Sequence, residues 1–101
     1  MTVALHGDQG KPRPALVVQT DRFGELGSVT VLPITGTLID APLLRVTVEP
    51  SEQNGLTKRS QVMVDKPQTP HRGRLGPVMG RLEDPTMITV NRLLAVFLGL
   101  A

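Results

Sequence analysis

Ten glycines and nine prolines are spread along a chain of 101 residues, and their spacing is the strongest constraint on the fold. Proline has no N–H to give to a ladder, and glycine turns the chain at little steric cost. Between these breakers the apolar runs have strand length. Ala15-Leu16-Val17-Val18-Gln19 is continuously apolar up to its last residue, as expected of a central strand covered on both faces. Ser28-Val29-Thr30-Val31-Leu32 follows, with Pro33 expected to end it. Leu44-Arg45-Val46-Thr47-Val48-Glu49 alternates, with Val46 and Val48 inward, as in a half-exposed antiparallel strand. Gln61-Val62-Met63-Val64-Asp65, Gly76 to Leu82 and a shortened first strand at Thr2 to Leu5 complete the set. Loops are expected at Asp21 to Gly27, Gly36 to Pro42 and Pro50 to Lys58, the last with Asn54-Gly55 as a turn signal.

One helix is legible, at the end. Asp84-Pro85 reads as N-cap and first helical residue, and Met87, Val90, Leu94, Phe97 and Leu98 fall on one face, expected to be core. Gly99 is placed to stop it. The expected fold is therefore mainly β with a C-terminal helix (α+β). It has about five to six short antiparallel strands in a small, strongly bent sheet or open barrel, and it forms one domain over residues 1–101.

Composition narrows the chemistry. Cysteine, tryptophan and tyrosine are absent, and Phe23 and Phe97 are the two aromatics. A disulfide scaffold, a thiolate metal site and a cysteine nucleophile are excluded. His6 and His71 are far apart, so no metal site is expected, nor any other cofactor. So few aromatics argue against a base-stacking platform. No apolar run approaches a membrane span, and the N-terminus does not read as a signal peptide.

The net charge is +2, and eight of the eleven cations are arginine. Arg72, Arg74 and Arg81 sit close to His71 and suit phosphate or carboxylate, by the geometry of the guanidinium fork. Each reads equally as solvated surface charge. Arg13 is set between Pro12 and Pro14, which preset its backbone. Thr35 stands at a strand end, where loops collect functional groups. If the strands around 14–19 and 28–32 form a hairpin, Arg13 and Thr35 become neighbours. Chemistry alone leaves two readings of each: a charge-stabilising pair, or a surface Arg paired with Asp8 and a Thr closing a turn on backbone N–H groups.

Gly10-x-x-Arg13-Pro14-x-Leu16-Val17, Leu32-Pro33-Ile34-Thr35, and Gly80-Arg81-Leu82 followed by a helix ending Leu98-Gly99-Leu100 resemble the MazF/PemK (Kid-like) toxins of type II toxin–antitoxin pairs over nearly the whole chain. The resemblance implies an SH3-like barrel and a cytoplasmic homodimer with no membrane association. It implies a metal-independent endoribonuclease that cuts single-stranded RNA at short motifs. The RNA's 2′-hydroxyl attacks the adjacent phosphate, giving a 2′,3′-cyclic phosphate and a 5′-hydroxyl. The family's catalytic Arg and Thr match Arg13 and Thr35. Asp8, Gln9 and Gly10, with Lys11, match its substrate-binding loop, and Arg72, Arg74 and Arg81 would line the RNA path or dock an acidic antitoxin tail. Operator DNA would be reached only through that antitoxin. The Kid-like branch carries Arg-x-Asp on one strand; Asp65 is retained, but Met63 replaces the Arg, and Asp65 reads equally as a cap for the Lys66-Pro67 turn. His6 lies near that branch's loop His, as a candidate base. The family's first strand starts earlier, so Met1 falls inside it, as in a truncated or unusual start. Two competing readings use the same fold. One is a CcdB-like gyrase poison, disfavoured by the Arg13/Thr35 pair and by a Leu98-Gly99-Leu100-Ala101 end without the docking aromatic. The other is a non-catalytic SH3-like module, disfavoured by the missing aromatic groove.

Overall fold

A computed structural model describes residues 1–6, 11–18 and 26–100. The chain runs through β1 (Thr2–Leu5), β2 (Arg13–Val17), β3 (Val31–Thr35), β4 (Arg45–Val48) and β5 (Ser60–Met63). A 3-10 turn at Arg72–Arg74, β6 (Leu75–Gly80) and α1 (Asp84–Phe97) follow. The strands form one antiparallel sheet in the order β4-β5-β3-β2-β1-β6, with β4 and β6 as its edges among the described residues. This is the mainly-β fold with a C-terminal helix that the breaker spacing predicts.

The sheet is buried on both faces at its centre. Leu16, Leu32, Ile34, Val46, Val62 and Val90 belong to a core under α1, with Met87, Leu93 and Leu94 packed against it. Val3, Ala15, Val29 and Val31 form a second cluster, flanked by Leu5, Val17 and Leu75. Strand β2 feeds both: Ala15 and Leu16 are adjacent, point to opposite faces and are fully buried. That is why its sequence reads as an unbroken apolar run. Edge strand β4 keeps the alternation, with Val46 and Val48 buried and Thr47 exposed.

Pro33 does not end its strand. It sits inside β3, opposite Ala15. The Val18 N–H donates to the Thr30 carbonyl (3.2 Å), and bonded and non-bonded pairs alternate, so Ala15/Pro33 exchanges no hydrogen bond. On its other side β3 pairs with β5 at Ile34 and Thr35 and bonds Gln68 at Val31. Pro33 falls in the gap between these two partners, where no N–H is called for.

The helix begins one residue earlier than expected. Its N-cap is Glu83, in extended backbone, with Asp84 and Pro85 already in the first turn. Glu83 serves other partners: it accepts from Ser51 Oγ (2.6 Å) and Asn54 Nδ2 (3.1 Å). At the far end Gly99 has φ +77, and the Leu100 and Gly99 N–H groups bond the Ala95 and Val96 carbonyls (2.7 and 3.1 Å), a Schellman stop. Phe97 and Leu98 are 44% and 52% exposed, so the apolar stripe is core only through its first turns. A 14-residue helix is about 21 Å long. The four-residue strand β4 that it packs on spans only about 14 Å.

The loop before β5 is organised by one side chain. Asn54 is fully buried. Its Oδ1 accepts from the Ser51 and Leu56 N–H groups (both 3.0 Å), and its Nδ2 donates to the Glu49 carbonyl (2.9 Å) and to Glu83. Gly55, with φ +72, then lies against the Met79 backbone, where a Cβ would collide with the carbonyl.

Candidate active site

The register brings the predicted pair together. Ala15/Pro33 is the last ladder pair between β2 and β3; Arg13 and Thr35 are the next residues on that face of each strand, and both line the same two clefts. Arg13 ends a row of cross-strand neighbours running through Leu5 to Leu75, and Thr35 ends one running through Gln61 to Thr47. At this end β2 and β3 part. Alternation calls for an N–H from residue 14 to the Ile34 carbonyl, and Pro14 has none, so the ladder stops at Ala15/Pro33. The Pro-Arg-Pro sequence therefore both presets Arg13 and opens the sheet beside it.

Two clefts meet at that opening, and Lys11, Arg13, Pro14, Ile34 and Thr35 line both. The first, of about 370 Å³, is completed by the loop 56–58 with Lys58, by Ser60 and by Met79. The second, of about 310 Å³, has Leu5, Pro33 and Met63 as apolar surface and Lys66, Gln68 and Arg74 around it. Lys11, Arg13, Lys58, Lys66 and Arg74 thus surround a space into which no described carboxylate projects. Of these five only Lys66 has an acidic neighbour among the described residues, Asp65 Oδ2 at 4.0 Å. Unneutralised charge at that density draws a polyanion.

The Thr35 hydroxyl accepts the Thr37 N–H (3.1 Å). The turn-closing role is thus real, and it leaves the functional one intact. One lone pair is used, the rotor is oriented, and the O–H remains free to donate. Behind it, Gln61 is nearly buried and grips Ile39 at both backbone groups: Oε1 accepts its N–H (3.1 Å), and Nε2 donates to its carbonyl (3.0 Å) and to Thr47 Oγ1 (3.3 Å). This fixes the loop that leaves Thr35.

The remaining candidates separate. Arg74 reaches the second cleft and donates through Nε to the His6 carbonyl (2.9 Å). Arg72 donates to the Leu26 carbonyl (2.8 Å) and pins that segment. Arg81 is elsewhere, beside Met1, Gln53 and Val78, paired with Asp84 (3.2 Å). His6 lines neither cleft; its ring lies over Gly76, where an added Cβ would meet Nε2 at 2.8 Å. Asp65 is in the turn after β5 and also lines neither cleft, with Oδ1 enclosed and unpartnered among the described residues. Asp8, Gln9 and Gly10 lie outside the described residues. Sequence reasoning missed Lys58, Lys66, Gln61 and Gln68. The two lysines carried one faint signal: with Lys11 they are the only lysines in the chain.

A small antiparallel sheet is capped by a C-terminal helix, and Arg13 and Thr35 line cationic clefts in which no carboxylate is found among the described residues, a surface suited to a polyanion. The chain belongs to the PemK-like, MazF-like toxins of type II toxin–antitoxin systems, whose family model matches residues 1–98. It is 48% identical over 92 residues to a Mycolicibacterium smegmatis protein named "Probable endoribonuclease MazF", spanning 91% of this chain and 84% of that one. Among solved structures it resembles the Mycobacterium tuberculosis toxin MazF-mt6 (TM-score 0.83, 26% identity, 100% and 99% of the two chains). It also resembles a mycobacterial endoribonuclease in complex with its cognate antitoxin (TM-score 0.82, 27% identity, 99% and 93%). The chain is thus a homologue of the MazF endoribonuclease toxins.

Proposed function

We propose that this protein cuts single-stranded RNA at short sequence motifs, with the substrate's own 2′-hydroxyl as nucleophile and no metal ion. The observation that supports it best is that Arg13 and Thr35 both line two adjoining clefts, which five cations and no described carboxylate line between them. In the reaction the 2′-oxygen gives its proton to water and bonds to phosphorus. The bond from phosphorus to the 5′-oxygen breaks, and that oxygen takes up a proton from water. Negative charge grows on the non-bridging oxygens. Arg13 meets it with a fork of N–H donors, and Thr35 adds an oriented O–H. His6 and Asp65 line neither cleft, and the role proposed for Arg13 and Thr35 is to stabilise transition-state charge. Loss of one such donor is worth about 2.7–4 kcal/mol, or 10²–10³ in rate.

The same reading carries its partners. An antitoxin with an acidic segment would occupy the cationic clefts and exclude RNA, and operator DNA would be reached only through it. Leu43, Val96, Phe97, Leu98 and Leu100 leave large apolar surfaces exposed, which suits a homodimer interface. No helix among the described residues is long and apolar enough to cross a membrane, and the proposed site of action is the cytoplasm.

The test is cleavage of a long RNA by purified protein in EDTA. Ends should be 5′-hydroxyl and 2′,3′-cyclic phosphate. Arg13→Ala and Thr35→Ala should each lose at least 100-fold in rate while keeping the wild-type circular dichroism. Unchanged cutting by both variants would remove the pair from the mechanism.

A further inference from the structure

The near-absence of aromatics raises the question of what holds a base beside the cut. Three consecutive rungs on one face of β3 give an answer. Thr35 faces Gln61. Two residues on from this pair, on the same face, stand Pro33 and Met63, beyond the last ladder pair of β3 with β5 and lining one cleft. On the third, Val31 faces Gln68, the two joined by reciprocal backbone hydrogen bonds (2.8 and 2.9 Å). Two strand residues advance about 6.8 Å, so the Pro33–Met63 rung lies about that far from the Thr35 hydroxyl row and Gln68 about as far again. Pro33, Met63 and Gln68 all line the second cleft, whose rim is cationic.

The chemistry of these rungs is uneven. Pro33 and Met63 offer a flat ring and a polarisable thioether, both half-buried and without a hydrogen-bonding side-chain group. A phosphate gains nothing there, whereas the face of an unstacked base does. Gln68 has an exposed side chain with no hydrogen bond to any described residue, on a backbone held at both N–H and C=O. Its amide has a donor and an acceptor side by side, the pattern that reads a base edge bidentately.

Resting on the endoribonuclease reading, we propose that the Pro33–Met63 rung is the platform for one nucleobase next to the scissile phosphate and that Gln68 reads that base's edge. The site takes an unstacked base of single-stranded RNA, on an aliphatic surface in place of an aromatic one. Arg13 and Thr35 hold the phosphate one rung away, and Lys66 and Arg74 guide the backbone past it.

The test is to map 5′-hydroxyl ends across a long RNA by sequencing, for wild type, Met63→Ala, Met63→Leu and Gln68→Ala, with Arg13→Ala as background. Stacking and bidentate contacts are each worth roughly ten- to a hundredfold. Met63→Ala should lower kcat/KM at the preferred motif by about tenfold or more, and Met63→Leu should restore most of it. Gln68→Ala, at an exposed residue whose loss leaves the fold intact, should relax the preference at one position beside the cut and leave the others. Thermal melting of each variant separates this from destabilisation, which lowers cutting at all sites alike. If every motif position keeps its preference in both Met63→Ala and Gln68→Ala, the base site is wrong and the nuclease reading stands. If wild type gives no ends above the Arg13→Ala background, both readings fall.

Discussion

Replacing Asn54 with alanine should unfold this protein far more readily than the loss of one loop side chain suggests. Asn54 uses its full capacity: two N–H groups donated to it, one carbonyl and one carboxylate oxygen receiving from it. Alanine leaves all four without a partner. The Leu56 N–H is buried and bears the full penalty of an unsatisfied donor, about 1–3 kcal/mol. The other three are partly buried and recover some bonding from water, at about 1 kcal/mol each. The total is about 4–6 kcal/mol, a large part of the roughly 5–15 kcal/mol that holds a domain together. At about 4–8 °C per kcal/mol for a domain of this size, Tm should fall by roughly 16–48 °C. Differential scanning calorimetry at pH 7 measures it. A fall of less than about 4 °C, near 1 kcal/mol, would refute the reasoning, because the four groups must then find other partners in a relaxed loop. The effect should reach function as well, since this loop carries Lys58 to the first cleft.

Further outcomes follow from single contacts. Thr35→Val should abolish RNA cleavage and Thr35→Ser should keep most of it, because only the hydroxyl is needed; equal loss in both would point to packing of the γ-methyl. RNA binding by Thr35→Val should weaken with salt, each phosphate contact contributing about 0.7 to the log–log slope for single strands. Lys58→Ala should lower that slope by about that amount in a fluorescence-anisotropy titration, and an unchanged slope would take Lys58 off the RNA path. The Glu83 carboxyl is held below the usual carboxylate range, chiefly by the Ser51 hydroxyl and then by its own backbone N–H and Asn54, against the opposing effect of burial. Because the folded value is the lower one, the stabilisation is complete above the unfolded carboxyl pKa, about 4.3, and drains away as pH falls through the folded value. The urea midpoint should therefore drop from pH 6 toward pH 3, and Glu83→Gln should flatten part of that drop.

Much of this molecule is legible in its sequence because the signals are local. Breakers every few residues dictate short strands, alternation at Arg45–Val48 identifies a half-exposed strand, and Gly99 ends the helix by a conformation other residues avoid. The prolines around Arg13 and Thr35 preset the local backbone, since proline fixes backbone wherever it occurs, and the family resemblance singles the two residues out. Where local reading failed, a distant group had intervened. Pro33 stays within its strand because Gln68 and β5 leave a gap opposite it. The cap moves to Glu83 while Ser51 and Asn54 take the carboxylate.

The sequence by itself determined most of the elements and their order, since these depend on backbone preference and on spacing along the chain, while its likeness to the toxin family singled out Arg13 and Thr35. Tertiary structure alone decided which charges share a space. It brought Lys58, Lys66 and Arg74 to the pair while sending Arg81 to Asp84 and Arg72 to a backbone carbonyl. It also set Gln68 two rungs from Thr35. A cleft is made of residues from strands paired across the chain, and the register that joins them is set by burying both faces of one sheet at once.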